Sequence, residues 1–83
     1  MSPPSVALIF GTGGNTGVAI AKLFQSKGWK VATVARSAAK EDLQPYTALH
    51  VQADLGDPSS IDQVYQKVES KLGIPNLVVY NGR

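Results

Sequence analysis

The chain has 83 residues and a formal charge of +2 from eight basic and six acidic side chains, which fits one small domain and is too small and too dispersed for a nucleic-acid footprint. A hydrophobic share of 43% against a charged share of 17% describes a globular chain rather than a disordered one. Without cysteine there is no disulfide, thiolate chemistry or cysteine-based zinc site, and a cytoplasmic setting is permitted and expected.

The start, Met1-Ser2-Pro3-Pro4-Ser5, carries no basic residue, and the apolar run Val6 to Phe10 is far too short for a membrane span or a secretory core. That run reads as a strand covered on both faces, and the glycine-rich stretch Gly11 to Asn15 ends it. From Thr16, residues Gly17, Ile20, Ala21 and Phe24 recur at helical spacing, with Leu23 widening the face and Gly28 placed to end the helix. Val31 to Ala35 reads as a second buried strand. Ser37 to Leu43 is expected to form a short helix that Gln44-Pro45 interrupts, and Ala48 to Ala53 a third strand. Asp57-Pro58 supplies an N-cap followed by proline at the first helical position, opening a helix whose apolar positions are Ile61, Val64, Val68 and Leu72. Gly73 caps it, and Leu77-Val78-Val79-Tyr80 follows as a fourth strand. The order is βαβαβαβ. Short connections favour a parallel α/β sheet, and right-handed crossovers give the strand order 3-2-1-4. No repeat or linker divides residues 1–83, so they form a single unit, although a complete doubly wound domain with a substrate site needs roughly 150 to 250 residues.

The chemistry is concentrated in Gly11-Thr12-Gly13-Gly14-Asn15-Thr16-Gly17, between the first strand and the first helix. A pyrophosphate needs backbone donors at close range, and glycine removes the side chains that would hold its oxygens away from them. The free N–H groups and the dipole of the first helical turn then favour the phosphate charge, with Thr12, Asn15 and Thr16 as added side-chain donors. The competing account is that these glycines only make a tight turn; their place between an apolar strand and a helix favours phosphate binding.

These residues resemble the short-chain dehydrogenases/reductases, whose Rossmann-like dinucleotide-binding domain carries Thr-Gly-x-x-x-Gly-x-Gly after the first strand. Phe10 to Gly17 occupies that stretch, and the register is supported by Gly17-Val18-Ala19-Ile20-Ala21 and Lys27-Gly28-Trp29-Lys30-Val31. Phe10 replaces the family's threonine and Asn15 its middle glycine, asparagine being tolerant of positive φ. A shifted register using Thr12, Gly13 and Gly17 would put Ala19 at the last glycine; the first register keeps Gly28 in place.

The resemblance implies a nicotinamide dinucleotide, and the end of the second strand selects which one. An NAD-specific site places a carboxylate there for the ribose 2′-hydroxyl. This chain has Ala35, followed by Arg36 and Ser37, which suit a 2′-phosphate through charge-assisted hydrogen bonds, so NADP(H) is the expected ligand. The alternative for Arg36 is a solvated basic residue at a strand end. Asp54-Leu55 matches the family's Asp-aliphatic pair beside the adenine; an aspartate that simply opens the turn Leu55-Gly56-Asp57-Pro58 is the competing account. Tyr80-Asn81-Gly82-Arg83 falls where the family has Asn-Asn-Ala-Gly, retaining Asn81, with Gly82 at the cofactor wall and Tyr80 and Arg83 departing.

The family's proton relay is a Tyr-x-x-x-Lys pair with an upstream serine. No tyrosine here has lysine four positions on: Tyr46 leads to His50 and Tyr65 to Glu69. No catalytic residue is assigned, and His50, alone in a strand, is a structural histidine rather than a metal ligand. The leading expectation is the NADP(H)-binding front part of a family oxidoreductase, not catalytic alone. The alternative is a non-catalytic dinucleotide-sensing or interaction module, which the altered Asn81 motif favours; a methyltransferase is disfavoured by Ala35-Arg36. A fourth strand left at the sheet edge is expected to self-associate.

Overall fold

The computed structural model describes residues 5–11, 14–36, 38, 41–54 and 56–80, with backbone alone for residues 14–16. The elements in chain order are β1 (Val6–Phe10), α1 (Gly14–Ser26), β2 (Lys30–Ala35), a 3-10 helix (Gln44–Tyr46), β3 (Leu49–Gln52), α2 (Pro58–Lys71) and β4 (Leu77–Tyr80). The strands are all parallel and lie in the order β3-β2-β1-β4. Alternation of strand and helix along the chain thus produces the expected Rossmann-like α/β half-domain, and its reversal of direction puts helices on both faces.

β1 is central and every residue in it is buried, which is why its sequence is continuously apolar instead of alternating. On one face Val6, Leu8 and Phe10 join Ala32, Val34 and Val51 against Val64 and Val68 of α2. On the other, Ile9 and Val31 pack with Ala21 of α1 and with Leu43, flanked by Ile20, Phe24 and Tyr46. Leu23 does not widen the buried face of α1: it is 53% exposed, because one residue advances about 100° around a helix and turns it away from Phe24.

The helix ends follow their residues. Asp57 caps α2 by accepting the Ser59 N–H at 3.0 Å, and Pro58 takes the first position, where a missing N–H costs nothing. Gly73 leaves α2 at φ 117 with its N–H donating to the Val68 carbonyl, and Gly28 leaves α1 at φ 84. Asn76 ties β4 to the start of β1 twice. Its Oδ1 accepts the Val6 N–H at 2.8 Å and its own N–H donates to the Val6 carbonyl at 2.8 Å.

The helix expected over Ser37 to Leu43 is corrected at its described residues, Ala38 and Glu41–Leu43, none of which is helical; Ser37, Ala39 and Lys40 lie outside the described residues. Glu41–Leu43 form a turn, and Pro45 lies inside the 3-10 helix instead of breaking one. Proline's fixed φ suits a first turn, and the segment is held by tertiary burial of Leu43, 2% exposed beneath α1. Thr33, fully buried on β2, is satisfied from the same side of the sheet: its Oγ1 lies 2.9 Å from Thr47 Oγ1 and 2.7 Å from His50 Nδ1. His50 is therefore a structural partner of a buried hydroxyl, and no group of three or more His, Cys, Asp or Glu suited to a metal occurs among the described residues.

Candidate dinucleotide site

Parallel strands point their C-terminal ends to one edge, so the ends of β1, β2, β3 and β4 bring Gly11, Arg36, Asp54 and Tyr80 to the same side of the sheet. Gly11 makes the exit. It has φ 79, a conformation that disfavours side chains, and its N–H donates to the Val34 carbonyl at 2.9 Å, so the chain leaves the sheet beside the end of β2. α1 begins at Gly14, two residues earlier than its apolar spacing alone indicates, which places Asn15 and Thr16 in its first turn. The amides of that turn have no intrahelical acceptor and carry the positive end of the helix dipole, so they are donors for an anion. Gly17 is buried where α1 meets the sheet.

Arg36 follows β2 directly and its side chain is 83% exposed. It lines an open pocket with Gln52, Ala53 and Asp54, because β2 and β3 are paired with Ala35 opposite Gln52. Asp54 Oδ1 accepts the Gly56 N–H at 2.9 Å, and the Asp57 N–H donates to the Asp54 carbonyl at 3.0 Å. The residue that opens the turn into α2 thus also presents its carboxylate to the pocket, 3.8 Å from Arg36 Nη2. The turn account of Asp54 is accordingly part of its role. Gln52 was not singled out from sequence; its Nε2 donates to the Arg36 carbonyl at 3.4 Å. Its signal was positional, as the last residue of a strand ending beside Arg36.

Thr12, Ser37, Leu55, Asn81 and Gly82, together with the side chains of Asn15 and Thr16, lie outside the described residues. Immediately before Asn81 the structure explains a departure from the family pattern. Phe10 and Tyr80 are opposite each other in the β1–β4 ladder, and their rings stack with centroids 4.9 Å apart and planes 9° from parallel. Phe10 also contacts Tyr65 of α2, centroids 6.2 Å apart. Two of the positions at which this chain differs from the resembled motifs, Phe10 and Tyr80, are therefore neighbours, and an aromatic pair occupies them. Burial, with the nearby Tyr80 hydroxyl as a lesser cause, raises the Tyr65 hydroxyl above the usual tyrosine pKa.

The residues fit a dinucleotide: a positive-φ glycine at the strand exit, a helix N-terminus without acidic residues in its first turn, and a cation at the neighbouring strand end. No helix among the described residues is long and apolar enough to cross a membrane.

Comparison with known proteins agrees with this geometry. The model of the short chain dehydrogenase family matches residues 5–82. The short chain dehydrogenase/reductase dmxR12 of Cryptosporiopsis sp. (strain 8999) is 40% identical over 82 residues, covering 99% of this chain and 32% of that protein. Among solved structures, 3-ketoacyl-(acyl-carrier-protein) reductase of Brucella melitensis, complexed with NADH, superposes with a TM-score of 0.81 at 30% identity over 92% of this chain and 33% of its own. L-Sorbose reductase of Gluconobacter frateurii, complexed with NADPH and L-sorbose, gives 0.79 at 26% identity over 98% and 34%. The chain thus spans about a third of the length of these relatives.

Proposed function

This chain belongs to the short chain dehydrogenase family, and from that premise we propose that it is the NADP(H)-binding portion of an oxidoreductase of that family. The observation that carries the choice of NADP(H) is Arg36, exposed at the end of β2 where Ala35 leaves no carboxylate. In this reading the backbone of Gly11 to Gly17, with Thr12, Asn15 and Thr16, holds the pyrophosphate; Arg36 and Ser37 hold the 2′-phosphate; Asp54 and Leu55 flank the adenine; and Asn81 and Gly82 form the wall toward the nicotinamide. Bound NADP(H) supplies hydride transfer to or from a carbonyl carbon. These 83 residues bind and orient it; they contain no Tyr-x-x-x-Lys pair to move the accompanying proton, so they are not catalytic alone. The proposal includes a cytoplasmic setting, which fractionation of the host cell tests.

A second reading, a non-catalytic module that senses the dinucleotide, is favoured by the Phe10–Tyr80 stack, which gives two motif positions to packing. A coding sequence continuing into Tyr-x-x-x-Lys decides for the oxidoreductase.

Calorimetric titration with NADPH and NADH tests the ligand. NADPH is expected to bind more tightly, and Arg36→Ala to weaken NADPH about tenfold or more, as charge-assisted hydrogen bonds contribute about 1.5–3 kcal/mol, while leaving NADH unchanged. Equal affinities in the parent chain, or an Arg36→Ala variant that keeps the preference, contradict the reading.

A further inference from the structure

The acid that an NAD-specific site carries at the end of its second strand is missing at Ala35, yet a carboxylate stands one strand away. β2 and β3 are parallel neighbours with Ala35 opposite Gln52, so the residues just beyond that pair meet above the sheet edge, and Asp54 Oδ1 lies 3.8 Å from Arg36 Nη2. The carboxylate is held: Oδ1 accepts the Gly56 N–H at 2.9 Å, and a Cβ placed on Gly56 would stand only 3.3 Å from it. The arginine side chain is 83% exposed and long, with only its backbone carbonyl engaged by Gln52. At 3.8 Å the pair is an electrostatic contact beyond hydrogen-bond length, so the guanidinium can be drawn to another anion. Both groups line the same open pocket.

Building on the NADP(H) reading above, we propose that Asp54 is a specificity-determining residue that competes with the 2′-phosphate of NADP(H) for Arg36. Without ligand, the fixed carboxylate attracts the mobile guanidinium. A phosphate monoester with a charge between about −1.5 and −2 at neutral pH has to draw that guanidinium away while standing near the carboxylate. NAD(H), with a neutral 2′-hydroxyl, meets no such competition. Asp54 therefore lowers NADP(H) affinity selectively and keeps the preference set by Arg36 moderate. Exposed ion pairs of this kind are weak and screened by salt, so the effect is about two- to fivefold in Kd.

The test is calorimetric titration of NADPH and NADH into the parent chain, Asp54→Asn, Arg36→Ala and the double variant, at low and high salt. Asparagine keeps the oxygen that accepts the Gly56 N–H and removes only the charge. Asp54→Asn is expected to raise the preference for NADPH over NADH about two- to fivefold, whatever common shift the adenine-flanking role adds to both ligands, the gain in preference shrinking at high salt and vanishing when Arg36 is alanine. A purely structural or adenine-flanking role would move both ligands alike, so an equal shift, or a lower preference for NADPH over NADH, overturns the proposal. A gain that persists in full without Arg36 also overturns it, since the carboxylate would then act by repulsion alone. Failure of the underlying reading is separable: the parent chain would show no NADPH preference and Arg36→Ala no effect, whatever Asp54→Asn does, and the inference falls with it. Should circular dichroism show Asp54→Asn unfolded, Asp54→Ser, whose hydroxyl also suits the Gly56 N–H, carries the same expected direction and the same refutation.

Discussion

Replacing the stacked aromatic pair one ring at a time measures whether Phe10 and Tyr80 stabilise the chain through each other. The perturbation is the cycle of Phe10→Leu, Tyr80→Leu and the double variant, leucine retaining apolar volume and discarding the ring. Phe10 is fully buried and touches both Tyr80 and Tyr65, so Phe10→Leu is expected to cost about 1–2 kcal/mol, a near volume-conserving core change plus lost ring contacts. Tyr80 is 67% exposed and covers Phe10 with one face only, so Tyr80→Leu is expected to cost about 0.5–1 kcal/mol. Once either ring is gone the stack is already lost, so the double variant is expected to cost less than the sum of the singles by about 0.5–1 kcal/mol. Urea unfolding followed by circular dichroism reads these differences, and thermal unfolding reads them as about 4–8 °C per kcal/mol in a domain of this size. Additivity to within about 0.3 kcal/mol would refute the reasoning: the rings would be stacked in space but independent in energy.

Other consequences are equally specific. Asp57→Ala removes the acceptor for the Ser59 N–H and should cost about 1 kcal/mol in urea unfolding, with most of it restored by Asp57→Ser. Gly28→Ala meets no atom within 4 Å, so its expected cost of about 1 kcal/mol comes from the positive φ alone, and NADPH affinity should not change because Gly28 lies at the opposite sheet edge from Arg36. Because the folded chain raises the Tyr65 pKa, it binds that proton more tightly than the unfolded chain does; stability is unaffected below the ordinary tyrosine pKa and falls as pH rises through and above it, a slope that Tyr65→Phe should flatten in alkaline unfolding. The outer edge of β4, with Leu77, Tyr80 and nearby Ile74 exposed, is expected to make the chain self-associate, seen as a concentration-dependent mass in light scattering; a constant monomer mass at high concentration contradicts this.

What was legible in the sequence follows from how local each signal is. β1 and β4 coincide with their apolar runs, and the start of α2 with Asp57-Pro58, because runs, caps and prolines act within a few residues. Leu43 was misplaced because a buried leucine in a polar segment is held by Ile9, Ala21 and Val31, partners distant in sequence. Leu23 was misplaced for the converse reason: it is apolar at nearly helical spacing, but the sheet reaches only one side of α1. Arg36 and Asp54 were each legible as single candidates, whereas their pairing depends on the register of β2 against β3. The Phe10–Tyr80 stack likewise needs the β1–β4 register before two isolated departures become one contact.

The most direct test of the account is an NMR titration of the ¹⁵N-labelled chain with NADPH, following every backbone amide. The account predicts shifts centred on the amides of Gly11 to Gly17 and on Arg36, with smaller ones at Asp54 and none at Gly28 or Gly73 on the opposite edge of the sheet. Saturating NADPH that leaves a folded chain's Gly11 to Gly17 and Arg36 amides unmoved, or shifts centred on Gly28 and Gly73, would contradict it.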